Sequence, residues 1–217
     1  MKERPILFSA PMVRALLAGT KTQTRRIIKD QSIGERFSHM TDDGLAHLEW
    51  LGTPCCGSGV WDVPEYSANV AAPYGQPGGR LWVRETWSPC GPEPSDGSLY
   101  RADFPEGPLS IKFKPSIHMP RWACRILLEI TGVRVERLQD INEQDAAAEG
   151  VATWAPGALS PDSLNADPSD QFRWLWSSIN GPDSWSANPW VWVVEFKRVQ
   201  QASSGRPSQL EDAPCNE

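Results

Sequence analysis

The segment NPWVWVVEFKRV, residues 188–199, constrains the fold more than any other. It is almost continuously apolar and rich in β-branched and aromatic residues. Such a run is read as a strand buried on both faces, hence one near the middle of a sheet. The segment before it, DQFRWLWSSING, has helical periodicity, with Asp170 as the expected cap and Phe172, Leu175, Trp176 and Ile179 on one face.

The remaining elements are sparser. Residues 5–9 read as a short strand. Met12, Val13, Leu16 and Leu17 share one helical face, and Gly19 stands where a helix stops. Residues 24–28 can be extended. Residues 30–78 are irregular and turn-rich, with DDGLAHLEWLG as a hairpin arm inside an insertion. GGRLWVRETW, residues 78–87, is a strand after a turn. Leu81, Val83 and Glu85 face one way and Trp82, Arg84 and Thr86 the other. LYRADF is a further short strand. A long strand runs from Arg125 to Leu138, with Gly132 as its bulge or turn. INEQDAAAEG is a short helix capped by Asn142 and ended by Gly150. Residues 152–169 form a second loop insertion, and residues 200–217 have the composition of a disordered tail. The order of elements suggests one α+β domain over 1–199: a small, mostly antiparallel sheet closing into a barrel, with short flanking helices and long loops. Strand–helix alternations are too few for a doubly wound fold.

Charge is unevenly distributed. The 217 residues carry a net charge of -6, so the whole molecule is no polyelectrolyte binder. Residues 1–30 nevertheless hold seven Lys/Arg against Glu3 and Asp30, while residues 142–183 hold seven acids against Arg173. A local basic face for an anionic ligand is compatible with this pattern. Most of the eleven tryptophans are expected in the core, with one or two free to stack a ring. The five cysteines are odd in number and follow no secretory signal, which points to a reduced, cytoplasmic protein without structural disulfides. No apolar run reaches membrane-spanning length. Cys55, Cys56 and Cys90 with His39 or His47 are the only set that suggests zinc. Adjacent cysteines lack the spacing of common structural sites, so no metal and no cofactor is expected. Phosphate-loop, dinucleotide-fold, zinc-protease and serine-hydrolase motifs are absent.

Gly19-Thr20-Lys21-Thr22-Gln23-Thr24-Arg25-Arg26 fits the pattern G-x-K-x-x-[ST]-x-R. With the blocks at 78–87, 138–151 and 190–199 in the same order, the chain resembles ASCH domains of the PUA-like superfamily, in particular those encoded by phages and prophages. The likeness covers residues 4–199, with Gly78-Gly79 in place of the usual Gly-Asp turn. It implies a PUA-like β-barrel with a cleft that recognises RNA, a nucleotide or a modified nucleoside in the bacterial cytoplasm. One branch is similar to 4-acetylcytidine amidohydrolases. By that likeness Lys21, Thr24 and Glu149 would be catalytic, with Glu143 as the fallback for Glu149.

Chemically the trio is coherent. A hydroxyl nucleophile needs a base, and a lysine serves when burial or neighbouring cations lower its pKa. A carboxylic acid can protonate the leaving amine. In a binding module, Lys21, Arg25 and Arg26 would instead meet phosphate, an aromatic such as Trp82, Trp87 or Trp122 would stack a base, and Glu85 or Glu149, with Glu85 preferred, would accept from a base amine. His118 and Arg121, in the proline-flanked loop PSIHMPRW, would border the same cleft. A third reading is a phage protein that binds a host protein through its Trp-rich surface and loops.

Overall fold

The computed structural model describes residues 3–31, 36–41, 45–50, 66–105, 110–151 and 167–199. Its main sheet contains β1 (Glu3–Leu7), β2 (Gln23–Ile27), β6 (Arg80–Arg84), β9 (Leu127–Arg137) and β10 (Trp190–Val199). The order is β1-β6-β9-β10-β2, with only the β1–β6 pair parallel. The apolar segment at 190–199 thus has a neighbour on each side. Its two faces serve two cores. Trp192, Val194 and Phe196 join Phe8, Leu81, Leu128 and Ile130. Val191 and Val193 join Phe172, Leu175 and Trp176 of helix α3 (Pro168–Asn180) and Ala146 of helix α2 (Glu143–Ala148). Dual burial is what its unbroken hydrophobicity requires.

The expected barrel closure is not found among the described residues. β1 and β2 remain the outer strands, with no backbone ladder between them. One side chain spans the gap instead: Arg26 of β2 donates to the Leu7 carbonyl of β1 at 2.6 Å, its guanidinium lying 5.3 Å from the Phe8 ring centre.

Residues 30–78 are more regular than composition suggests. β3 (Arg36–Met40), β4 (Leu45–Trp50) and β5 (Tyr66–Ala71) form a separate antiparallel sheet, in which β4 is the strand that falls within the expected hairpin arm. A smaller sheet joins β7 (Trp87–Pro89) to β8 (Ser98–Tyr100). Residues 51–65, 152–166 and 200–217 lie outside the described residues. So do Cys55, Cys56 and the side chain of His39, and with them the zinc reading. Among the described residues no helix is long and apolar enough to cross a membrane.

Some local signals act where expected; others do not, since the expected strand LYRADF gives way to a 3₁₀ turn at Arg101–Asp103 and Leu17 on the expected apolar face of the first helix is exposed. Helix α1 (Ala10–Ala18) ends at Gly19, whose φ of 77° is left-handed. The Asn142 side chain accepts from the Asp145 N–H and caps α2. The β9–β10 register shifts at Glu195/Phe196, opposite the Gly132 region. Helix α3, however, starts at Pro168 with Asp167 in the cap position, because proline suits a first helical residue. Asp170 therefore lies in the first turn. Ile179 is 52% exposed, one residue before the end of α3 at Asn180.

Gly150 combines a φ of 79° with tight packing. A Cβ there would lie 2.9 Å from Ala15 Cβ and 3.0 Å from Lys21 Cβ. A Cβ on Gly19, at φ 77°, would meet nothing within 4 Å. Gly150→Ala is expected to cost about 2–3 kcal/mol in urea unfolding and Gly19→Ala about 1 kcal/mol, since only the former adds a clash to the backbone strain.

Candidate functional site: a buried lysine–glutamate centre

The turn after α1 places Lys21. The Ala15 carbonyl accepts from the Thr20 and Lys21 N–H groups at 3.0 and 3.2 Å and from the Thr20 hydroxyl at 3.2 Å. This turns the chain back over the helix end. Thr22 then joins two elements, donating from its N–H to Ala148 O and accepting from the Phe196 N–H, both at 2.8 Å. Lys21 and Glu149 form an isolated antiparallel bridge. The first residue of the cationic segment is thereby fixed against the end of the acidic helix.

Side chains complete the junction. Lys21 Nζ donates to Glu149 Oε2 at 2.7 Å and to Glu149 O at 2.9 Å, with the two side chains 1% and 5% exposed. The amine also lies 5.6 Å from the Phe8 ring centre. Burial holds the Lys21 pKa below its ordinary value of 10.5; Glu149 opposes this, and Arg26 and Arg25 add to it.

Arg25 points to the face of β2 opposite Thr24 and Arg26, over the Phe172 ring at 5.8 Å. Its Nη2 binds Asp145 Oδ2 at 2.9 Å and Glu136 Oε2 at 3.0 Å. Arg134 joins the group through Asp145 at 2.7 Å and through Glu136 and Glu195, and Gln23 donates to the Asp145 carbonyl at 2.7 Å. Arg25 Nη1 stops 3.6 Å from Glu149 Oε1. That oxygen and Arg25 Nε and Nη1 are buried without hydrogen-bond partners. Leaving such groups unsatisfied costs roughly 1–3 kcal/mol each.

Of the three residues implied to be catalytic, Lys21 and Glu149 meet. Thr24 is buried at 3% exposure opposite Val194, on the strand face away from Arg25. No hydrogen bond among the described residues joins it to Lys21 or Glu149. The cations expected to meet phosphate are turned inward: Arg25 to carboxylates and Arg26 to Leu7 and Phe8.

Glu85 stands elsewhere. It is 1% exposed, and both its oxygens accept from Arg125 at 2.9 and 3.0 Å. Burial raises its pKa against the lowering effect of Arg125. Arg125 also binds Asp103 at 2.8 Å and lies 3.9 Å from the Tyr100 ring centre. Trp82 has the guanidinium groups of Arg84 and Arg121 at 5.3 and 6.0 Å from its ring centre. Arg121 pairs with Glu3 at 2.7 Å, and His118 is exposed on a short 3₁₀ turn.

Sequence reasoning missed Asp145 and Arg125 as organising groups. The signal for Asp145 was present. Asp145 and Glu149 are four apart on a helix, and Lys21, Gln23 and Arg25 alternate along extended chain, so each set falls on one face.

Breaking the buried pair is expected to destabilise strongly. Lys21→Met and Glu149→Leu should each cost about 3–5 kcal/mol, and the double variant much less than their sum, in a urea double-mutant cycle. Folded Lys21 also binds fewer protons than unfolded Lys21. Relative to the double variant, the wild type should gain stability as pH rises from the lowered Lys21 value towards 10.5. A flat difference over that range would contradict the burial effect. No family model, curated protein or solved structure matches this chain.

Proposed function

We propose that the chain is an ASCH-type, PUA-like protein that recognises a modified nucleoside at the Lys21–Glu149 centre. The supporting observation is the set of buried atoms there without hydrogen-bond partners: Arg25 Nε and Nη1 and Glu149 Oε1, with Nη1 and Oε1 held 3.6 Å apart as an ion pair, beside the Lys21 amine. The amide edge of a nucleobase carries the complementary pair, a carbonyl for the guanidinium and an N–H for the carboxylate. Satisfying those groups on binding returns free energy that the free protein lacks. The depth of the pair favours a small ligand, admitted by local opening, over a broad polyanion track. The near approach of β1 and β2 through Arg26 is in keeping with a PUA-like barrel.

A second reading, hydrolysis of an acylated nucleobase, is favoured by the lowered pKa of Lys21. In it the Lys21 amine takes the Thr24 hydroxyl proton as Thr24 Oγ1 bonds to the acyl carbon. The C–N bond then breaks, with the proton that Lys21 took from Thr24 passing to the leaving amine while Glu149 holds the Lys21 amine in place. Water finally releases the acyl group from Thr24. This requires Thr24 and Lys21 to come within hydrogen-bond reach when the ligand binds.

The test is titration calorimetry with N4-acetylcytidine, followed by chromatography for cytidine. The wild type should bind, and Glu149→Gln, which replaces one acceptor oxygen, should weaken binding about tenfold. Thr24→Val separates the readings: hydrolysis predicts retained binding with lost turnover, whereas recognition alone predicts no turnover in any variant. Failure of the wild type to bind acetylated or unmodified nucleosides would sink the proposal.

A further inference from the structure

The two outer strands of the main sheet are anchored on different neighbours. In β1, Leu7 pairs with Arg84 of β6, and the Phe8 N–H donates to the Arg84 carbonyl at 3.1 Å. In β2, Arg26 pairs with Trp192 of β10. Where a closed barrel would carry a ladder between β1 and β2, the charge-assisted hydrogen bond from Arg26 to the Leu7 carbonyl stands instead. By comparison, the pairing of β9 with β10 runs from Trp190 to Val199 with one register shift. A structure opens first where the fewest bonds must break, so the β1–β2 seam is the weak line of this sheet.

Depth is graded across the seam. Leu7, which holds the acceptor, and Ile27, which follows the donor, are 40% and 42% exposed. Arg26 is half-buried. Phe8 is 3% exposed, and its ring centre has the Arg26 guanidinium at 5.3 Å and the Lys21 amine at 5.6 Å. A path from solvent between β1 and β2 therefore meets Arg26 first and the contact of Phe8 with Lys21 next. Arg26 Nε is buried without a hydrogen-bond partner. Its hydration on opening offsets part of the bond that is lost.

We infer that Arg26 is a latch: its bond to the Leu7 carbonyl holds the β1–β2 seam shut, and its release admits a small molecule to the buried Lys21–Glu149 pair. The inference rests on the reading of that pair as a ligand site and names the opening that such a site requires. Arginine suits the task. Its side chain is long enough to join strands that share no ladder, its planar group lies on the Phe8 ring, and its charge does not titrate.

The test is acetylation of Lys21 by N-acetoxysuccinimide at pH 8, followed by mass spectrometry, with no nucleoside present. Arg26→Met should speed acetylation of Lys21 about tenfold, the factor that one charge-assisted hydrogen bond is worth in an opening equilibrium. The exposed Lys29 and Lys197 should react as in the wild type. Charge alone predicts the opposite change. Burial is the main cause of the lowered Lys21 pKa and the Arg26 charge adds to it, so removing Arg26 leaves Lys21 more protonated and slower to react. Deuterium exchange on the amides of β10 separates opening of the seam from general loosening, and these amides should keep their wild-type rates. In the wild type itself, Lys21 acetylation should rise only weakly with sub-denaturing urea, as befits a small opening. The latch is overturned if Arg26→Met reacts at the wild-type rate or slower, or if Lys21 and the β10 amides speed up together. It is equally overturned if wild-type acetylation follows the urea slope of global unfolding. Because no nucleoside takes part, failure here and failure of nucleoside binding are separate results.

Discussion

The bridge between Lys21 and Glu149 is the interaction on which the rest of the arrangement depends. It is both a backbone pairing and a buried ion pair, and it lies where α1, α2 and the outer strand β2 meet. A lone buried charge is prohibitively costly, so each partner enforces the position of the other. Gly150 allows the approach, because its missing Cβ leaves room for Ala15 and Lys21. With this junction made, Gln23 and Arg25 have nowhere to turn but the α2 face, where Asp145 receives both.

The same junction resolves the uneven charge along the chain. Two cations of the basic N-terminal segment, Lys21 and Arg25, meet Glu149 and Asp145 of the acidic segment in the interior.

Several elements were legible because their causes are local. Gly19, Asn142, Gly150 and the alternation of Leu81, Val83 and Glu85 act within a few residues of themselves, and the structure places them as those local rules require. The β3–β4–β5 sheet was legible only as a hairpin arm, since its strands are short and their pairing spans a long intervening segment. Asp167 displaced Asp170 at the start of α3 because the proline after it sets the first turn. Ile179 has the right spacing for burial, but burial also needs something to cover it.

By itself the sequence determined the strand at 190–199 with its two buried faces, the helix stops, and the residue types available for chemistry. Period and composition suffice for these, because each is a property of neighbouring residues. The tertiary structure decided that Lys21 meets Glu149 while Thr24 faces elsewhere, that Arg25 is spent on Asp145 and Glu136, and that β1 and β2 are linked by Arg26 without a backbone ladder. Those outcomes depend on which distant groups share a desolvated space, and the energy of a buried charge is set by its partner in three dimensions rather than by its neighbours along the chain.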